Sequence, residues 1–149
     1  MKLKIRIKDK PPLTHCQWWF IISAHRIKVI GMDMDMMFEI SQYWDGENWL
    51  KKVNQKFKIN YYLDDNLHRN DGPAYIYHDR VSDTTIEKFY HHGKKHRYNG
   101  PAKIKTNTHG FKVYEYYFNG IEFNPDDLPF EMPINSPEKE FMFHLKYGV

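Results

Sequence analysis

One cysteine, Cys16, stands in 149 residues. It excludes an internal disulfide framework and suits a reducing compartment. Long apolar runs are missing too. Residues 18–22 (Trp-Trp-Phe-Ile-Ile) form a run far too short to cross a bilayer, and no secretory leader is visible. A cytoplasmic protein with no membrane partner is therefore expected. Excess charge of one sign is slight. The net +3 falls short of the footprint of a dedicated nucleic-acid binder. Leucine and valine are sparse, so packing falls to isoleucine and to an aromatic content of 17%, a bias that favours strands. There is no glycine-rich phosphate loop, no serine nucleophile elbow and no recurring acid pair. Neither catalysis nor a cofactor is expected.

What is present is a repeat. Residues 66–74 read Asn-Leu-His-Arg-Asn-Asp-Gly-Pro-Ala, and residues 94–102 read Lys-Lys-His-Arg-Tyr-Asn-Gly-Pro-Ala. His68 and His96 stand 28 residues apart, as do Gly72 and Gly100. The lead-ins match as well, Tyr62 with Tyr90, and a third lead-in ends at Asn119 and Gly120. A fixed period of this length marks stacked supersecondary units. His92-Gly93 and Asn119-Gly120 are hairpin turn signals. Each unit is predicted to be a long strand, a tight turn, a short return, a second turn and another strand. Gly72 and Gly100 are read as supplying a left-handed or strained backbone at the second turn. The prolines after them belong at strand starts. Residues 74–78 and 102–106 alternate, setting Tyr75 and Tyr77 against Ile76, and Lys103 and Lys105 against Ile104.

These phrases, each preceded by aromatic-aromatic-x-x-Gly or its near match, resemble the MORN-like repeats common in uncharacterised proteins of tailed bacteriophages and giant viruses. The resemblance covers about two-fifths of the chain. It implies an architecture and a viral accessory protein acting in the host cytoplasm; it implies no activity. Two departures stand out. The third unit has Phe123-Asn124 where His-Arg would stand, as a terminal cap would, and Asp71 becomes Asn99 in the second unit. An Arg–carboxylate pair is therefore not obligatory in the repeat.

The fold class expected is mainly β: an antiparallel sheet of stacked hairpin repeats over 61–123, after a β-rich segment over 1–60. An extended proline-rich linker and a short carboxy-terminal helix fill 124–149. Residues 2–8 alternate strictly, with Lys2, Lys4, Arg6 and Lys8 on one face. That stripe is read first as protection of an edge strand. Residues 18–22 read as a central strand, and a strand over residues 26–30 is broken by Gly31. Asp33 and Asp35 read as solvated surface. Residues 38–44 continue as strand, Asp45-Gly46 turns, and residues 47–60 read as a hairpin or irregular segment. Residues 80–85 and 107–110 read as polar loops. Ser136, Pro137 and Glu138 start a helix whose apolar stripe is Phe141, Leu145 and Met142, and which stops at Gly148.

Histidine is the tempting chemical group. His91, His92 and His96 invite a metal. Neighbours on a strand point to opposite faces, however, so no metal site is expected. His15 beside Cys16 fails as a dyad for the same reason. The candidate binding residues are Arg69, Arg97, His68, His96, Tyr75, Tyr77, Tyr90 and Tyr117, on an aromatic and basic sheet face whose residue types suit protein interfaces. For the two arginines, anchoring their own turns is the preferred role. A host protein, such as an antiviral defence component, is the expected partner. Nucleic acid bound through Lys2, Lys4, Arg6 and Lys8, or a place in the virion, are the alternatives.

Overall fold

The computed structural model of the chain describes residues 17–23, 26–32 and 37–148, with side chains from Ile40 onward. The basic stripe at 2–8, His15, Cys16, Asp33 and Asp35 lie outside the described residues. The fold is mainly β with one helix at the carboxy end. Four strands lead in: β1 (Gln17–Ser23), β2 (Arg26–Met32), β3 (Met37–Trp44) and β4 (Trp49–Gln55). The repeats follow as β5 (Lys58–Leu63), β6 (Asn66–Leu67), β7 (Tyr75–Asp79), β8 (Thr84–Lys88), β9 (Tyr90–His91), β10 (Lys94–Lys95), β11 (Lys103–Thr106), β12 (Lys112–Phe118) and β13 (Ile121–Phe123). The helix α1 (Pro137–Tyr147) ends the fold.

The main sheet runs β1-β2-β3-β4-β5-β7-β8-β11-β12-β13, with β6 attached to β5, and β9 pairs with β10. All the pairings are antiparallel. β5 crosses the 60/61 boundary and pairs with β4, so the leading strands and the repeats share one sheet. Two of the strand expectations are corrected. Among the described residues β1 lies at the end of the sheet, paired with β2 alone, not at its centre. β2 runs through Gly31, which faces Phe38 in register and does not break the strand. β8 also begins at Thr84, inside the segment read as loop.

The two repeat copies make equivalent backbone hydrogen bonds. The amide of His68 donates to the Tyr61 carbonyl at 3.1 Å, and that of His96 to Phe89 at 3.1 Å. The Tyr61 amide donates to Ala74 and the Phe89 amide to Ala102, each at 2.8 Å. Each tight turn has two residues at positive φ: Asp64 and Asp65 (47° and 64°), His92 and Gly93 (48° and 80°), Asn119 and Gly120 (50° and 87°). That is the backbone of a two-residue hairpin turn matched to strand twist. The second turn is otherwise. Gly72 and Gly100 are not at positive φ. The arginine of the same phrase lies over each glycine, crowding the first and standing at ordinary contact distance from the second. A Cβ on Gly72 would stand 3.0 Å from the Arg69 guanidinium carbon, and one on Gly100 3.5 Å from that of Arg97.

Two apolar clusters form the core among the described residues. Leu50, Tyr61 and Ala74 form one, with Tyr43, Ile59, Leu63, Leu67 and Tyr90 around them. Phe118, Phe123, Ile134 and Phe143 form the other. Phe123 occupies the histidine position of a third phrase, and it packs on α1, edge to face with Phe143 at 5.2 Å. The helix thus closes the stack where a further repeat would dock. Ser136 caps it, accepting from the Lys139 amide at 3.3 Å, and Gly148 stops it at φ 69°. Its buried stripe is corrected: Phe143 is fully covered, with Tyr147 beside it, while Phe141 and Leu145 are 63% and 67% exposed. The proline-rich segment is not merely a surface strand. Ile134 is buried in the core, and its amide donates to the Tyr98 carbonyl at 2.8 Å. Among the described residues no helix is long and apolar enough to cross a membrane.

Candidate functional site

Strand register builds the candidate face. Asn60 stands opposite Tyr75, Tyr75 opposite Lys88, Lys88 opposite Lys103, and Lys103 opposite Glu115. Lys58 stands opposite Tyr77. Side chains directly opposite share a face, and like charges placed so repel. One face of the sheet therefore carries Tyr75, Lys88 and Lys103 in one row and Lys58 and Tyr77 in the next, all half-buried. Lys95 joins them by reaching the Tyr117 ring at 4.2 Å. The Lys88 ammonium lies 4.5 Å over the Tyr75 ring and that of Lys58 lies 5.3 Å from it. Burial lowers the Lys88 pKa, the charges of Lys95 and Lys103 lower it further, and the Glu115 carboxylate offsets part of the effect. Lys103 has a carboxylate, Glu115, at 2.5 Å. Among the described residues, Lys58, Lys88 and Lys95 have none within ion-pair distance. Burial and the carboxylates of Glu122 and Glu115 push the Tyr117 phenol up to about 12. Burial likewise raises Tyr75 and Tyr90. All these phenols stay neutral donors at physiological pH.

The histidines and arginines of the phrase do other work. The Nδ1 of His68 accepts the His92 amide at 3.1 Å, and the Nδ1 of His96 accepts the Asn119 amide at 3.1 Å. Each imidazole thus ties its own repeat to the turn of the next. His68 is 1% exposed, so its expected place on a docking surface is corrected: it is a core staple. Burial first, and then His91, lower the pKa of both rings. Arg69 donates to Asp71 Oδ1 at 2.5 Å and to the Pro73 carbonyl at 3.4 Å, and it stacks 4.3 Å from the Tyr61 ring. Arg97 repeats this with Asn99 Oδ1 at 3.1 Å, Pro101 at 3.2 Å and Phe89 at 3.9 Å. An amide oxygen replaces the carboxylate without changing the corner. Both arginines line a cleft of about 510 Å³ between the two corners, together with Glu47, Asp71, His91 and His96, but each guanidinium is engaged by its own turn.

Of the residues singled out in the sequence, Tyr75, Tyr77 and Tyr117 come together with the lysines, and Tyr90 lies beside them. Lys58, Lys88 and Lys95 escaped sequence reasoning. Their alternation was readable in each strand, but cross-strand register was not. The turn also overturns the expectation for His91 and His92. Because His92 sits at φ 48°, it leaves the strand alternation. The rings of His91 and His92 lie 4.4 Å apart, and those of His68 and His92 4.5 Å apart.

Comparison with family models, curated proteins and solved structures finds no match for this chain.

Proposed function

We propose that the chain is a binding protein, without catalysis, whose lysine–tyrosine face docks on an acidic surface of a protein partner. One observation carries this reading. Lys58, Lys95 and Lys103 lie close enough to Lys88 to lower its pKa, and among the described residues Lys58, Lys88 and Lys95 have no carboxylate within ion-pair distance, an arrangement that costs stability and that a partner's carboxylates relieve. The rings supply contact area at little entropic cost. Their faces are already covered by ammonium groups, which favours a carboxylate-bearing surface over stacked nucleobases. The resemblance to viral repeats extends the proposal: the partner is a host protein in the host cytoplasm, and an antiviral defence component suits an accessory protein of this size. The test uses the chain as bait in host lysate, beside a variant carrying Lys58→Gln, Lys88→Gln and Lys95→Gln. A stoichiometric acidic partner held by the parent and lost by the variant supports the reading. Equal capture by both, tight binding of a labelled single-stranded oligonucleotide, or recovery of the chain in purified virions counts against it.

A further inference from the structure

Three imidazoles meet where the first repeat touches the turn of the second. His68, His91 and His92 each offer a ring nitrogen, and these atoms lie within 4.8 Å of one another. His68 is fixed from behind: its side chain is 1% exposed, and Nδ1 already aims its lone pair at the β9–β10 turn, where it accepts the His92 amide. That bond puts the ring proton on Nε2. Nε2 is buried with no hydrogen-bond partner, and the Asp45 carboxylate is 3.7 Å away. Asp45 is itself held ionised. Burial pushes its pKa up, but the amides of Asn48, Glu47 and Asn70 outweigh that and keep it low. At 3.7 Å the Asp45 carboxylate is beyond hydrogen-bond reach of that N–H, but its charge favours the Nε2–H tautomer and leaves the Nδ1 lone pair directed at the β9–β10 turn. His91 and His92 are exposed, and their rings lie 4.8 and 4.5 Å from that of His68.

We propose that His68, His91 and His92 form a binding site for a divalent cation of the zinc class. This inference is independent of the docking reading, since it uses none of the lysine–tyrosine face. Imidazole nitrogens suit zinc, copper and nickel and discriminate against magnesium and calcium. Tetrahedral zinc needs Zn–N distances of about 2.0–2.1 Å, so the three nitrogens draw together on binding. The cation takes the His68 Nδ1 lone pair from the His92 amide, exchanging one neutral hydrogen bond for metal–imidazole bonds. The Asp45 carboxylate, 3.7 Å from His68 Nε2, places a negative charge next to the site. In this position the metal joins two consecutive repeats.

The test is calorimetric titration of the untagged, chelator-stripped full chain with zinc sulfate. One equivalent binds, the melting temperature rises, and magnesium chloride produces neither effect. The His92 amide resonance moves as zinc is added, which adventitious binding to scattered surface histidines does not cause. His68→Ala risks the fold, so the decisive variant is His91→Ala with His92→Ala. Both side chains are exposed, and circular dichroism checks that the sheet is kept. The double variant loses the stoichiometric binding, while His109→Ala, in the distant β11–β12 loop, retains it. Absence of a one-equivalent isotherm in the parent, or an unchanged isotherm in the double variant, overturns the proposal.

Discussion

Glycine and histidine do opposite jobs within each repeat phrase. The glycine clears room for its arginine, and the two copies differ in how tightly. At Gly72 an added Cβ meets the Arg69 guanidinium at 3.0 Å, whereas at Gly100 the nearest atom of Arg97 is at ordinary contact, 3.5 Å. Gly72→Ala is therefore expected to cost roughly 1–3 kcal/mol by overpacking, and Gly100→Ala to stay within about 0.5 kcal/mol, as read by urea denaturation. The histidine fills a gap and must be unprotonated at Nδ1 to accept the next turn's amide. Burial and neighbouring imidazole charge lower the folded pKa of His68 and of His96, below the value near 6.5 of an unfolded histidine. The unfolded chain then binds more protons as pH drops. Stability is complete above about 6.5, declines as pH falls from there through the folded pKa values, and is not lost further below them. His91 shifts the same way and contributes to the slope. Urea midpoints between pH 8 and 5 check this, and a flat profile contradicts the staple.

Turns and the capping helix carry the next scale. Two of the three tight turns end on glycine, but the first uses Asp65 at φ 64°, a conformation that costs a residue with a Cβ. Its ion pair with Lys51, at 3.0 Å, is exposed and adds little. Asp65→Gly is expected to raise stability by roughly 0.5–1 kcal/mol, the left-handed strain relieved less the added freedom of the unfolded chain. A lower melting temperature would contradict it. In α1, Phe143→Ala should cost about 3–5 kcal/mol. Phe141→Ala, on the exposed side, should stay within about 0.5 kcal/mol. Sequence spacing named Phe141 and Leu145 for the core because both residues are apolar and four apart. The helix presents Phe143 instead, because Phe118 and Phe123 of the last hairpin await it there. The start and stop of the same helix were legible, since Ser136, Pro137 and Gly148 act through local backbone chemistry.

At the scale of the molecule, the strands from β4 onward bury apolar clusters and collect lysines beside Tyr75, Tyr77 and Tyr117. Binding through Lys58, Lys88 and Lys95 is expected to weaken steeply as salt rises, because half-exposed charges are screened. The triple Gln variant should lose both the affinity and most of its salt dependence in a titration against the captured partner. A salt-independent interaction would place the contact elsewhere, on an apolar surface such as Trp44 and Trp49, whose rings lie 5.4 Å apart and are exposed. Tyr75 and Tyr77 were legible as members of a face through period-2 alternation, and Tyr117 only as part of an aromatic lead-in. Their lysine neighbours were not, because they arrive from β5, β8 and β10, whose side-by-side order depends on long-range pairing.

The chain's own order of residues determined the repeat, its turns, the antiparallel strand class and the helix caps. All of these follow from φ preferences, proline's missing donor and alternation within a few residues. Tertiary structure alone decided which side chains meet. Stacking brought Lys88 opposite Lys103, sank His68 beneath the next turn and swung His92 back beside it. Contacts between segments two dozen residues apart depend on register and on what fills the space between them, and neither quantity is written into any short stretch of sequence.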